Sequence, residues 1–185
     1  MDFQELVERR RAYRALEPVE ITEKTVRELA ETARISPSCF NKQPWRYVFV
    51  FGEKPLAEVK KALAKGNAWA QKASMIIGVF SKKELDCDIK GREYFLFDTG
   101  MATAFLQLKA TEMGLVAHPI AGFNEEKAKE AMGIDPEMRL ITLVIVGKHA
   151  EKPEDYLEGK QLATENKRPP RKEWDEFSFI DRVPS

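Results

Sequence analysis

One globular domain of mixed helices and strands is what this chain predicts. Three observations carry that reading. Apolar runs of strand length stand at 47–51, 75–80 and 140–146, continuous enough to be strands buried on both faces. Segments of 3.6-residue apolar spacing with capping residues separate them. The length of 185 residues, 43% of them hydrophobic, suits one core in one domain, 1–185.

The elements follow in order. Asp2 caps a first helix, with Glu5 placed to complete a capping box. Thr22 caps a second, whose Val26, Leu29, Ala30 and Ala33 share a face. After the strand at 47–51 comes a short helix marked by Leu56, Val59 and Leu63, then a turn at Trp69 and Ala70. The strand at 75–80 leads into a polar, mobile connection from Lys82 to Lys90. The longest helix spans 92–114 and is apolar on nearly every face, so it is expected to be buried all round. Either it lies at the centre of a monomer, or two copies of the chain pack through it. Gly114 ends it, Asn124 caps the next helix and Gly133 stops that one. Beyond Lys148 the chain is polar without a clear period and reads as an extended arm, with a short edge strand at 177–180.

Composition excludes several functions. Thirty basic and thirty acidic residues cancel, so no global field attracts nucleic acid or an anionic membrane. No apolar run nears the roughly 18 residues of a membrane span. The start, MDFQELVERR, has no apolar leader core. The two cysteines, Cys39 and Cys87, give no disulfide framework, which points to a reducing cytoplasm. No glycine-rich dinucleotide turn, P-loop or metal-spaced Cys/His array occurs.

Three features remain for function. Arg9, Arg10, Arg11 and Arg14 crowd six positions near the N-terminus. Such a cluster is either splayed into water or gathered by an anion, and arginine's planar fork suits phosphate. A second basic cluster lies at 167–172. The stretch Ser36-Pro37-Ser38-Cys39-Phe40-Asn41-Lys42-Gln43-Pro44-Trp45 is either a capped turn or a loop whose hydroxyl and amides meet a polar heterocycle. Strong side-chain catalysts are missing; Cys39 reads as a small packing residue and His118 as structural. Cation clusters with an amide-rich loop fit an enzyme whose chemistry belongs to a bound cofactor.

Four segments, in order, resemble the FMN-dependent nitroreductase family. Arg10-Arg11-Ala12-Tyr13-Arg14 resembles its Arg-Arg-Ser-x-Arg, and 37–45 is similar to its Pro-Ser-x-x-Asn-x-Gln-Pro-Trp. Pro119-Ile120-Ala121-Gly122-Phe123 resembles Pro-Ile-x-Gly-Phe, and 171–176 resembles Arg-Lys-Pro-Leu-Glu-Glu. The resemblance implies an α+β fold: a central, mostly antiparallel sheet flanked by helices, with a C-terminal arm (about 148–185) exchanged in a homodimer. It implies FMN bound by Arg10, Arg11, Ala12, Arg14, Pro37, Ser38, Cys39, Asn41, Ala121, Gly122 and Arg171. The loop 37–41 would come from the other subunit. Arg10 and Arg171 would meet the phosphate, with Arg168 the alternative to Arg171. Arg14 would stabilise the reduced flavin, and the amides of Ala121 and Gly122 would stand near its N5. Ala12, Leu16 and Glu173 depart from the family's hydroxyl, aromatic and proline.

The implied activity is hydride transfer from NAD(P)H through the flavin to a small acceptor such as a nitroaromatic or quinone. The alternatives are another flavoenzyme reaction on the same fold, such as dehalogenation or flavin reduction, or a different electron donor. A non-enzymatic nucleic-acid-binding module is the remote one. Acceptor choice is expected to lie in 54–70, 82–90 and the arm.

Overall fold

The computed structural model describes residues 2–183; Met1 and the last two residues of the expected arm, Pro184 and Ser185, lie outside them. The elements are α1 (Phe3–Arg9), β1 (Leu16–Glu17), α2 (Glu23–Arg34), β2 (Arg46–Val50), α3 (Glu53–Lys60), β3 (Met75–Ser81), β4 (Asp88–Ile89), β5 (Arg92–Glu93), α4 (Tyr94–Glu112), β6 (Val116–Ile120), α5 (Glu125–Met132), β7 (Arg139–His149) and α6 (Gly159–Glu165).

Five strands form one sheet in which every pairing is antiparallel. β7 is its centre. One edge of β7 pairs with β3, which in turn pairs with β2; its other edge pairs with β6 over residues 143–147. The end of β7 takes β1, with Leu16 opposite His149. Side chains alternate across a strand, and here both alternating sets are buried. Met75, Ile77, Val79, Val144 and Val146 pack with Leu29 and Ala33 of α2 and Ala102, Leu106 and Ala110 of α4. Ile76, Leu143 and Ile145 pack on the opposite face with Leu56 and Val59 of α3 and Ala128 of α5. Helices on both faces therefore explain why β3 and β7 read as continuous apolar runs. Gly78 of β3 is where α5 comes nearest: a Cβ there would stand 2.6 Å from the Met132 sulfur.

The caps expected at α2 and α5 are present. The Thr22 hydroxyl accepts from Thr25 N–H within a capping box, and the Asn124 carboxamide accepts from Lys127 N–H. At α1 the Asp2 carboxylate accepts from Glu5 N–H.

Several expectations are corrected. β2 is an edge strand and only half-buried, because among the described residues nothing pairs beyond it in the sheet. β6 was hidden by its proline, which the short segment tolerates while pairing with β7 alone. The connection 82–90 is ordered into a turn and the β4–β5 hairpin. The segment after β7 is not simply extended, since α6 forms within it, and 177–180 makes no strand among the described residues. α4 is not buried all round: Phe95, Thr99, Ala102, Leu106 and Ala110 face the core, whereas Phe97 is 62% exposed. Cys39 and Cys87 are joined as a disulfide; the hairpin folds back to bring residues 48 apart in sequence to a Cα separation of 6.2 Å.

Candidate functional site

The two basic clusters meet. Arg10, Arg11 and Arg14 lie between α1 and β1, and Arg168 and Arg171 follow α6. Together with Ala12, Thr164, Glu165 and Lys167 they line a cavity of about 320 Å³. Glu165 builds this junction. It is 2% exposed, and its Oε1 accepts from Arg14 N–H at 2.7 Å and Ala15 N–H at 2.8 Å. Arg11 Nη2 donates to its carbonyl at 3.0 Å. Arg168 Nη2 donates to the Glu8 carbonyl and, at 3.4 Å, to that of Arg10. Among the described residues, the Arg171 guanidinium donates only locally, to Pro169 O at 3.2 Å.

Charge at this site is unbalanced. Burial, and then the guanidinium groups of Arg168, Arg171 and Arg11, push Arg10 below the usual arginine range. Five clustered guanidinium groups against one buried carboxylate favour an anion with several acceptor oxygens. The residues present thus fit the phosphate of a flavin mononucleotide.

Two rings close the adjoining wall. Tyr13 stacks on His149 at 3.7 Å, with Arg11 5.0 Å from the Tyr13 ring centre. His118 Nδ1 lies 3.0 Å from Tyr13 O and donates to it, while Trp69 packs at 4.6 Å. Burial pushes both histidines below the ordinary imidazole value, so both are neutral near pH 7. The structural role expected of His118 matches this geometry.

Ala121 and Gly122 follow β6. Gly122 O accepts from Ala64 N–H at 3.1 Å and from Asn67 Nδ2 at 2.9 Å. A Cβ on Gly122 would stand 2.6 Å from that same nitrogen, so glycine is required for the amide to seat. Among the described residues, the Ala121 and Gly122 N–H groups donate to no protein acceptor.

The loop 36–45 is elsewhere. Phe40, Asn41 and Gln43 adopt left-handed φ values of 47°, 55° and 50°. Cys39 N–H donates to the buried Asp98 Oδ2 of α4 at 2.6 Å, and Ser38 Oγ accepts from Gln43 N–H at 3.0 Å. None of Pro37, Ser38, Cys39 or Asn41 lines the arginine cavity of the same chain. Within one chain the structure therefore unites the arginines and separates them from the loop.

A model of known protein families matches residues 7–148, under the description Nitroreductase family. The chain belongs to the Nitroreductase family. Among its relatives, the Bacillus subtilis protein named "Putative NAD(P)H nitroreductase YdgI" is 24% identical over 81% of this chain and 90% of its own. A nitroreductase family protein of Clostridium novyi NT has a solved structure 27% identical to this chain, with a TM-score of 0.75 over 84% of this chain and 92% of that one. A solved structure of an oxidoreductase containing FMN, 23% identical, superposes with a TM-score of 0.84 over 100% of this chain and 94% of that one, a likeness of fold. The α+β nitroreductase fold is thereby shown.

Sequence reasoning missed Glu165 and Asn67. Glu165 sits in a polar stretch with no period to mark it. Asn67 carried a signal, an amide beside Gly66, which reads equally well as a helix interruption.

Proposed function

We propose that this nitroreductase family member is an FMN-dependent, NAD(P)H-using oxidoreductase of small acceptors such as nitroaromatics or quinones. One observation carries the reading: arginines from both ends of the chain converge on one cavity with a net positive charge that a phosphate would balance. Bound FMN would supply two-electron chemistry, accepting hydride from the nicotinamide and passing it to the acceptor. Arg10, Arg168 and Arg171 would bind its phosphate. Arg14, held by its backbone to Glu165, would put a fixed positive charge beside the reducible ring and stabilise its reduced form. Backbone N–H groups at Ala121 and Gly122 would donate near N5 without titrating.

The working unit is proposed as a homodimer. Phe97 of α4, Trp174 at 58% exposure and Phe40 at 85% are large apolar groups left open by one chain. A partner covering them would bring its own loop 37–41 to the cavity, and the arm after α6 would reach across. A cytoplasmic location is supported by the nicotinamide donor alone; the cysteines, being paired, no longer argue for it.

The absorption spectrum of the freshly purified protein tests the cofactor. Flavin bands that survive gel filtration and bleach on mixing with NADH or NADPH are expected. A colourless chain that takes up no added FMN refutes the reading. Bleaching by neither nucleotide, with FMN bound, leaves a flavoenzyme with another donor.

A further inference from the structure

We propose that Trp69 and Asn67 are positioning residues heading a chain of aligned amide dipoles that ends on the Gly122 N–H, an inference that rests on FMN as the ligand of this site. The chain makes that N–H a stronger donor to the flavin ring than a lone backbone amide, and it moves no proton.

The first observation is the path of the hydrogen bonds. Trp69 Nε1–H donates to Asn67 Oδ1 at 3.3 Å, and Asn67 Nδ2 donates to Gly122 O at 2.9 Å. The peptide group that holds this carbonyl also holds the Phe123 N–H, which donates to Ala121 O at 3.2 Å. The peptide group of Ala121 O in turn holds the Gly122 N–H. Each group in the series accepts on its oxygen and donates from its nitrogen, all in one direction. Hydrogen bonds chained in this way polarise one another, each by roughly 10–30%.

The second is what fixes that direction. An indole nitrogen only donates. The Asn67 carboxamide must therefore turn its oxygen to Trp69 and its nitrogen to Gly122; the flipped amide would set N–H against N–H and oxygen against oxygen. Trp69 is 6% exposed, so its N–H needs this acceptor. Its ring packs 4.6 Å from His118, which donates to Tyr13 O, next in the chain to Arg14. One indole is thus tied to the neighbourhood of Arg14 and, through Asn67, to Gly122.

The third is how the chain ends. Gly122 O takes a second donor, Ala64 N–H at 3.1 Å, so both of its lone pairs are used and the peptide group cannot turn without breaking two bonds. Among the described residues, the Gly122 N–H itself has no protein acceptor. A donor that is fixed, polarised and left open costs no reorganisation when negative charge arrives beside it. Hydride reaching the flavin brings such charge.

The test uses the full isotope-labelled chain, with and without FMN. Asn67→Asp keeps the shape and the acceptor for Trp69, but while ionised it sets an oxygen against Gly122 O. Without FMN, at about pH 8, the Gly122 amide proton is expected to move upfield of its position in the natural chain, by NMR. Towards about pH 5 the protonated carboxyl donates to Gly122 O in place of the amide, and the shift is expected to return. Comparison with the natural chain at each pH removes the effect of His118. With FMN bound, single-turnover reduction by NADH or NADPH is expected to slow about tenfold at the higher pH and to recover over the same window, with FMN affinity and nucleotide saturation unchanged. Trp69→Phe removes only the first donor and is expected to give a smaller upfield move and a slowing of about twofold; it decides the matter where Asn67→Asp does not fold. If neither nucleotide bleaches the flavin, its midpoint potential replaces the rate and is expected to be lower in both variants. A Gly122 amide unmoved in both variants overturns the chain of dipoles. An amide that moves while rate and potential stay the same overturns its role towards the flavin. A natural chain that binds no FMN overturns the proposed function and this inference together.

Discussion

Arg10 gathers more of the proposed chemistry than any other side chain, and the ligand-free protein holds it under electrostatic stress. Its guanidinium is pushed down by burial and by Arg168, Arg171 and Arg11. Replacing it with glutamine removes a repulsive charge and a phosphate contact at once. The melting temperature of the ligand-free chain is expected to hold or rise, while FMN affinity falls by about ten- to a hundredfold, the worth of ~1.5–3 kcal/mol for a hydrogen bond to a charged group. Calorimetry and fluorescence titration check the two halves separately; a fall in apo stability would show that Arg10 is a structural residue. The histidines give a second expectation. His118 and His149 are both held below the ordinary value by burial. An unfolded histidine binds its proton near pH 6.5, so in the window just below that value the unfolded chain holds more protons. Stability therefore falls as pH drops below about 6.5. Urea midpoints between pH 8 and 5 should show the fall, and His118→Asn should flatten it.

Among the elements, α4 divides between two tasks. Leu106 is fully buried against the sheet, so Leu106→Ala is expected to cost about 2–5 kcal/mol in urea unfolding. Phe97, on the same helix, contacts solvent in one chain. Phe97→Asp is expected to leave the helical circular dichroism unchanged and to yield monomers by light scattering, with loss of bound flavin. A stable dimer of Phe97→Asp would remove this face from the proposed interface. The helix's apolar composition was legible in the sequence, but its division was not: periodicity cannot tell a face that meets the sheet from one that meets another copy. β6 was missed for a related reason. His118 and Pro119 break the apolar alternation, and only the long β7 beside it supplies the pairing that makes it a strand.

The molecule as a whole is a helix–sheet–helix sandwich whose two ends close one cavity. Residues after Asn166 contribute Arg168 and Arg171 to that cavity and no strand to the sheet among the described residues. A chain ending at Asn166 is expected to keep its fold, because both core clusters lie before that point. It should lose FMN affinity at least as strongly as Arg10→Gln. Equal FMN affinity in the shortened and full chains would assign the phosphate to Arg10, Arg11 and Arg14 alone. The four family motifs made the fold and the cation clusters readable, since each is a local string of residues. The meeting of Arg10 with Arg171, or with Arg168 in its place, was expected from the resemblance alone, because no local pattern relates positions so far apart.

By itself the sequence determined the caps of α2 and α5, the apolar strands and the excess of cations at two places. These follow from short-range chemistry that a few neighbouring residues settle. Only the tertiary structure decided that Glu165 would hold Arg14, that Asn67 would seat Gly122, and that Cys39 would reach Cys87. Each of those joins segments distant in the chain, and such pairs are chosen by how the layers pack rather than by any spacing along it.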